Sequence, residues 1–175
     1  MSNKFELLNA SCADLEVDAV VNAANKYLLA GGGICGAIFD KAGMAELTLS
    51  CEKYKLPLND GEARLTPSFN MTNAKAIIHA VGPNFAINPD AHGELFNAYY
   101  NSLVVLKDYK LHSISFPLIS SGIFGGSLDN PVAESAKQCK LAYDKFTADY
   151  PEYEVDVKLC AFGGWEYKKA SEELG

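Results

Sequence analysis

Two glycine-rich turns, about ninety residues apart, hold the residue types in this chain best suited to chemistry. The first is Gly31-Gly32-Gly33-Ile34-Cys35-Gly36, with Asn25 shortly before it; the second is Ser120-Ser121-Gly122-Ile123-Phe124-Gly125-Gly126. Each follows an apolar, strand-like run and leads toward a helical pattern. Glycine lets backbone amides approach a ligand closely, and a helix N-terminus offers unpaired N–H groups to an anion. One such turn is common. Two of them at strand ends describe a cleft that could hold two linked phosphates.

Other candidates carry less. Gly31-x-Gly33-x-x-Gly36 matches the dinucleotide fingerprint on paper, and a nicotinamide-dependent oxidoreductase is therefore kept as an alternative. In that motif the first glycine follows its strand closely, and an acidic residue ends the next strand about 20 positions on. Here nine residues, Asn22 to Ala30, separate Val21 from Gly31, and the stretch around Glu46 and Glu52 reads as helix or loop. No Gly-Lys-Ser/Thr follows either turn, so no lysine is placed for a triphosphate. His79 lies within an apolar run and reads as a structural histidine. Cys35 opens a helix, where a thiol pKa can fall, but no neighbour in sequence would activate it.

The five cysteines (Cys12, Cys35, Cys51, Cys139, Cys160) include no CxxC pair, and His79, His92 and His112 fall at no ligand spacing with them. No metal and no cofactor is expected, and reduced thiols in a cytoplasmic protein are the economical reading. The N-terminal segment from Met1 lacks the apolar core of a leader, and no apolar run reaches membrane-spanning length.

These residues need a scaffold. Strand-like segments cover 4–8, 17–22, 62–71, 76–81, 113–119 and 155–162, each short and rich in branched or aromatic residues. Helical periodicity covers 94–107 through Leu95, Tyr99, Leu103 and Leu106. It returns after Pro131, with Asn130 as N-cap. A further helix begins at Gly33 or Ile34, with Ala37, Ile38 and Ala42 on its buried face. Alternating strands and helices predict a three-layer α/β/α sandwich on a mixed, mostly parallel sheet. In such sheets ligands bind at the carboxyl ends of strands, where both glycine turns fall.

Composition sets the partners. At 175 residues, 49% hydrophobic and 21% charged, the chain is expected to form one domain over residues 1–175, favoured as a monomer. A net charge of −7 argues against direct nucleic-acid binding, which usually requires a basic face. It leaves room for a small anion held by backbone amides.

The spacing that disfavours the oxidoreductase fits another pattern. Val17-Asp18-Ala19-Val20-Val21-Asn22-Ala23-Ala24-Asn25, then Leu28 to Ile34, then Ala37-Ile38-Phe39-Asp40-Lys41-Ala42-Gly43, closely resembles the signature of macro domains. His79-Ala80-Val81-Gly82-Pro83 and Phe116-Pro117-Leu118-Ile119-Ser120-Ser121-Gly122-Ile123-Phe124-Gly125 resemble that family's later motifs, in the same order. The resemblance covers nearly the whole chain. It implies a module of the Appr-1″-p processing type that binds ADP-ribose or ADP-ribosylated protein. Some members remove ADP-ribosyl groups or deacetylate O-acetyl-ADP-ribose.

By the same resemblance, Asn25 would orient the distal ribose in catalysis. Gly31, Gly32, Gly33 and Ile34 would line the phosphate and that ribose. Pro117, Ser120, Ser121, Gly122, Ile123 and Phe124 would wrap the pyrophosphate. Ser11, Cys12 and Phe162 would meet adenine. Three departures from the family pattern matter. Asn9-Ala10-Ser11-Cys12 replaces an early turn whose acidic residue accepts the adenine amino group, and Asp14 would substitute only with a remodelled loop. Cys35 and Phe39 stand where the best-known hydrolytic branch has aspartate and histidine. Gly163 stands where an acidic residue often follows the last-strand phenylalanine. The expectation is an ADP-ribose-binding module with hydrolysis by a positioned water; a non-catalytic reader is the alternative.

Overall fold

The computed structural model describes residues 3–175. Met1 and Ser2, the start of the segment read above as lacking a leader, lie outside the described residues. Six strands form one sheet among the described residues: β1 (Lys4–Leu8), β2 (Val17–Ala24), β3 (Ala63–Pro67), β4 (Ala74–Val81), β5 (Ser113–Pro117) and β6 (Asp156–Cys160). Their order is β1-β6-β5-β2-β4-β3, parallel throughout except where β3 runs antiparallel to β4. The helices are α1 (Gly33–Ala42), α2 (Met44–Cys51), α3 (His92–Asp108), α4 (Pro131–Asp149) and α5 (Gly164–Leu174).

The central strand explains the layering. β2 reads Val-Asp-Ala-Val-Val-Asn-Ala-Ala, a nearly continuous apolar run, as expected of a parallel strand covered on both faces. Ala19 and Val21 face a core shared with α3, α4 and α5, through Leu95, Tyr99, Leu103, Phe146 and Ala170. Val17, Val20 and Ala24 face the opposite core, built by α1 and α2 through Ile38, Phe39, Ala42 and Leu47. The three-layer α/β/α sandwich on a mixed, mostly parallel sheet is therefore observed. α4 starts as its sequence predicts: Asn130 Oδ1 accepts from Ala133 N–H at 3.1 Å, with Pro131 in the first turn.

The boundaries depart from expectation for physical reasons. The strand expected over 62–71 stops at Pro67, and Phe69 adopts a positive φ of 50° as the chain turns. The strands expected to reach 119 and 162 end at Pro117 and Cys160, releasing their last residues into loops. α1 buries Cys35, Ile38, Phe39 and Ala42, an i, i+3, i+4, i+7 stripe. Ala37, expected on that face, lies off the stripe and is exposed toward a cleft.

Candidate functional site

The cleft, about 920 Å³, opens at the carboxyl ends of β2, β5 and β6. That size lies within the usual range for small-molecule sites. It gathers all the sequence-predicted site residues: Asn25 and 31–34 from the β2–α1 loop, Pro117 and 120–124 from the β5–α4 loop, and Ser11, Cys12 and Phe162.

Asn25 lines the cleft while organising its own loop. Its Oδ1 accepts from Tyr27 N–H and Leu29 N–H, both at 3.1 Å, and its Nδ2 donates to Leu29 O at 2.9 Å. This Asx turn drives Leu28 into the left-handed region, φ 52°, and buries its side chain in the core. The Cys35 thiol also reaches Leu29 O, at 3.6 Å. Leu29 is thus tied from two sides, and the triple glycine begins from a fixed point.

The glycines divide into two kinds. A Cβ on Gly36 would lie 2.6 Å from Gly31 O, and one on Gly82 would lie 2.4 Å from both Ile119 Cγ2 and Ser120 Oγ. Those glycines let the loops pack. A Cβ on Gly31, Gly32 or Gly122 would meet no atom of the described residues within 4 Å. Gly32 also has ordinary extended geometry, φ −86° and ψ −175°. Packing does not require glycine there, so the space it leaves is cleft. Gly32 is the N-cap of α1 and has no side chain to satisfy the first-turn amides, which remain available to an anion.

The second loop is stitched by side chains and leaves its backbone free. Ser120 Oγ donates to Pro83 O and Ser121 Oγ to Leu118 O, each at 2.7 Å. Tyr99 Oη, fully buried, accepts from Ile119 N–H at 2.9 Å, and Phe124 O accepts from Phe85 N–H at 2.8 Å. The N–H groups of Gly122, Ile123 and Phe124 make no hydrogen bond among the described residues. Such consecutive free amides form an anion-binding concavity.

The other end of the cleft lies between β1 and β6. Ser11 precedes a 3-10 turn at Cys12–Asp14, and its hydroxyl has no bond to any described residue. Cys12 is buried, its thiol donating to Val21 O at 3.6 Å, and burial pushes its pKa well up. Phe162 is 71% exposed, an aromatic ring left uncovered at the cleft mouth. Asp14 also lines the cleft, and Lys41 Nζ holds its Oδ1 at 2.7 Å.

Beneath the first loop runs a buried polar chain. Asn22 Nδ2 lies 3.0 Å from His79 Nδ1, and His79 Nε2 lies 3.0 Å from Thr66 Oγ1 and 3.8 Å from Cys51 Sγ. Burial holds the His79 pKa down at about 4, so the ring is neutral and ties β2 to β3 across β4. It is a structural histidine. Asn22 Oδ1 has no partner among the described residues. Turning that amide end for end would let Oδ1 accept from His79 Nδ1–H. Asn22 also lies beside the Cys35 thiol, a neighbour that steadies the thiolate form. Burial outweighs this help and raises the Cys35 pKa. The thiol fastens the loop through Leu29 O.

Lys41, Ala37, Gly82 and Glu166 also line the cleft and were not among the predicted site residues. Lys41 follows Ala37 by one helical turn, a spacing visible in the sequence. Glu166 depends on where α5 starts, and Gly163-Gly164 hides that start. No group of three or more metal-ligating side chains lies together among the described residues.

An α/β sandwich with paired amide-lined loops at its strand ends defines an anion-binding class. A family model described as Macro domain matches residues 21–136, and the chain belongs to the macro domain family. It is similar to the ADP-ribose glycohydrolase MACROD1 of Rattus norvegicus, 40% identical over 164 residues. That match covers 93% of this chain and 61% of the rat protein. It is also similar to the O-acetyl-ADP-ribose deacetylase of Salmonella typhimurium, 34% identical over 164 residues, covering 91% of this chain and 88% of that one. Among solved structures, the Oceanobacillus iheyensis macrodomain with ADP is 33% identical. It superposes with a TM-score of 0.88 over 99% of this chain and 90% of that one.

Proposed function

We propose that residues 1–175 act as one macro domain whose cleft binds ADP-ribose, free or attached to protein. The observation that carries this is the pair of loops whose uncommitted amides face one cleft. Hydrogen bonds to a charged group contribute roughly 1.5–3 kcal/mol each, so a handful account for micromolar affinity of about 8 kcal/mol without a lysine. The pyrophosphate lies between the α1 N-terminus and the 122–124 amides. The distal ribose lies over Gly31 to Gly33, beside Asn25. Adenine rests on Phe162, near Ser11 and Cys12.

We further propose hydrolysis by a water held beside the distal ribose. Its oxygen bonds to the anomeric carbon of an ADP-ribosyl ester as the protein carboxylate departs, or to the acetyl carbon of O-acetyl-ADP-ribose as the ribose oxygen departs. With Cys35 and Phe39 at the helper positions, the ligand's own phosphate oxygen takes the water's proton. Asn25 is a positioning residue, because its amide fixes Leu29 and hence the glycine turn. The relatives named for hydrolase activity support this reading. Cys35 and Phe39, which stand where the hydrolytic branch has its aspartate and histidine, favour the second reading, a binding module without turnover.

Two measurements decide. Calorimetry should give micromolar binding of ADP-ribose and much weaker binding of AMP; equal affinities would remove the distal-ribose assignment. Single-turnover assays on a protein mono-ADP-ribosylated at acidic residues should show release, and Asn25→Ala should slow it about 10²-fold, as expected for a misplaced reacting centre. No release by the parent protein would leave the reader.

A further inference from the structure

Two carboxylates line the cleft, Asp14 and Glu166. Lys41 occupies the first. Glu166 has no hydrogen bond or ion pair to any described residue. It lies in the first turn of α5, whose N-cap Gly163 receives no side-chain cap, so the carboxylate does not serve its own helix end. Two bonds fix its place: Ala161 N–H donates to Leu8 O at 2.8 Å and Gly163 N–H to Asn9 Oδ1 at 3.1 Å. They fasten the β6–α5 turn to the end of β1, just ahead of Ser11. Glu166, four residues after Phe162, thereby lines the same cleft as Phe162 and Ser11. Desolvation there raises its pKa, in keeping with a carboxylate facing the cleft without a cation.

We propose that Glu166 selects the base: its carboxylate accepts a hydrogen bond from the exocyclic amino group of the purine resting on Phe162. The proposal rests on the ADP-ribose reading and names the residue that replaces the acidic group missing from the Ser11 turn. An ionised carboxylate is an acceptor only. It pairs with the 6-amino group of adenine and opposes the 6-oxo group of hypoxanthine. The Ser11 hydroxyl both donates and accepts, so it does not discriminate.

The test compares ADP-ribose with its hypoxanthine analogue, inosine diphosphate ribose, by calorimetry on the full chain. The parent protein should prefer adenine by about tenfold or more, the scale of one hydrogen bond to a charged group. In Glu166→Gln the amide offers a donor and an acceptor, and the preference should fall to within about threefold. Glu172→Gln removes the same charge from the same helix at an exposed site, and should keep the parent preference. A thermal melt confirms that each variant is folded. A parent that binds both ligands within about threefold overturns the proposal, and so does a folded Glu166→Gln that keeps the tenfold preference. If the parent binds neither ligand, the ADP-ribose reading itself fails, which calorimetry distinguishes from lost selectivity.

Discussion

Gly32 lacks a side chain for a reason outside the protein's own packing. A Cβ there would touch no described atom within 4 Å, and the backbone is extended. Gly32→Val should therefore fold with stability within about 0.5 kcal/mol of the parent, as surface substitutions usually do. Its branched side chain would stand where the proposed phosphate passes, and ADP-ribose affinity should fall by about 100-fold or more, the equivalent of losing two charged hydrogen bonds. Calorimetry and a denaturant melt on one preparation check both halves. An unfolded variant would show that the glycine serves the fold, and retained affinity would show that the phosphate lies elsewhere. The cleft-lining residues were legible at this scale because glycine and asparagine signal backbone demands. How Asn25 spends its amide was not legible, because a loop-fastening bond and a ligand bond draw on the same atoms.

His79 works at the scale of elements. One imidazole holds Asn22 of β2 on one side and Thr66 of β3 on the other, with Cys51 of α2 beside it. Its folded pKa of about 4 lies below the unfolded value of 6.5. Between those values the unfolded chain binds the proton and the folded chain does not, so stability rises with pH across that window. The contribution is fully present above pH 6.5 and is lost as the pH falls toward 4. The shift corresponds to roughly 3 kcal/mol. Denaturant melts of the parent from pH 7 to pH 4.5 should show this loss. His79→Gln should show a lower stability at pH 7 and a flatter profile; parallel profiles would place the acid sensitivity elsewhere. Most elements were legible from periodicity: β2 and β4 by nearly continuous apolar runs, α3 by its leucines and Tyr99, α4 by Asn130-Pro131. α2 and α5 were not. α2 has eight residues and starts directly from Gly43, while α5 buries only Ala170. Strand order was not legible either. It depends on contacts such as β5 with β6 and β2 with β4, which join distant stretches of chain.

For the whole molecule, the notable balance is 22 acidic against 15 basic residues around a cleft proposed to hold a diphosphate. Proteins that hold phosphates with lysine and arginine release counterions on binding, so their affinity falls steeply with salt. Here the donors are backbone amides and two helix or loop termini, while the net charge of −7 opposes an anionic ligand over long range. Salt screens that opposition, with a Debye length of about 8 Å at physiological ionic strength. The amide contacts are short and are screened much less. Lys41 is the cation that lines the cleft, and Asp14 already neutralises it. ADP-ribose affinity should accordingly stay level or rise as salt increases from low to physiological concentration. Calorimetry across that range checks it, and association rates from stopped-flow should rise in step as the repulsion is screened. A steep fall in affinity with salt would mean that side-chain cations hold the phosphates, which would contradict the amide-based cleft.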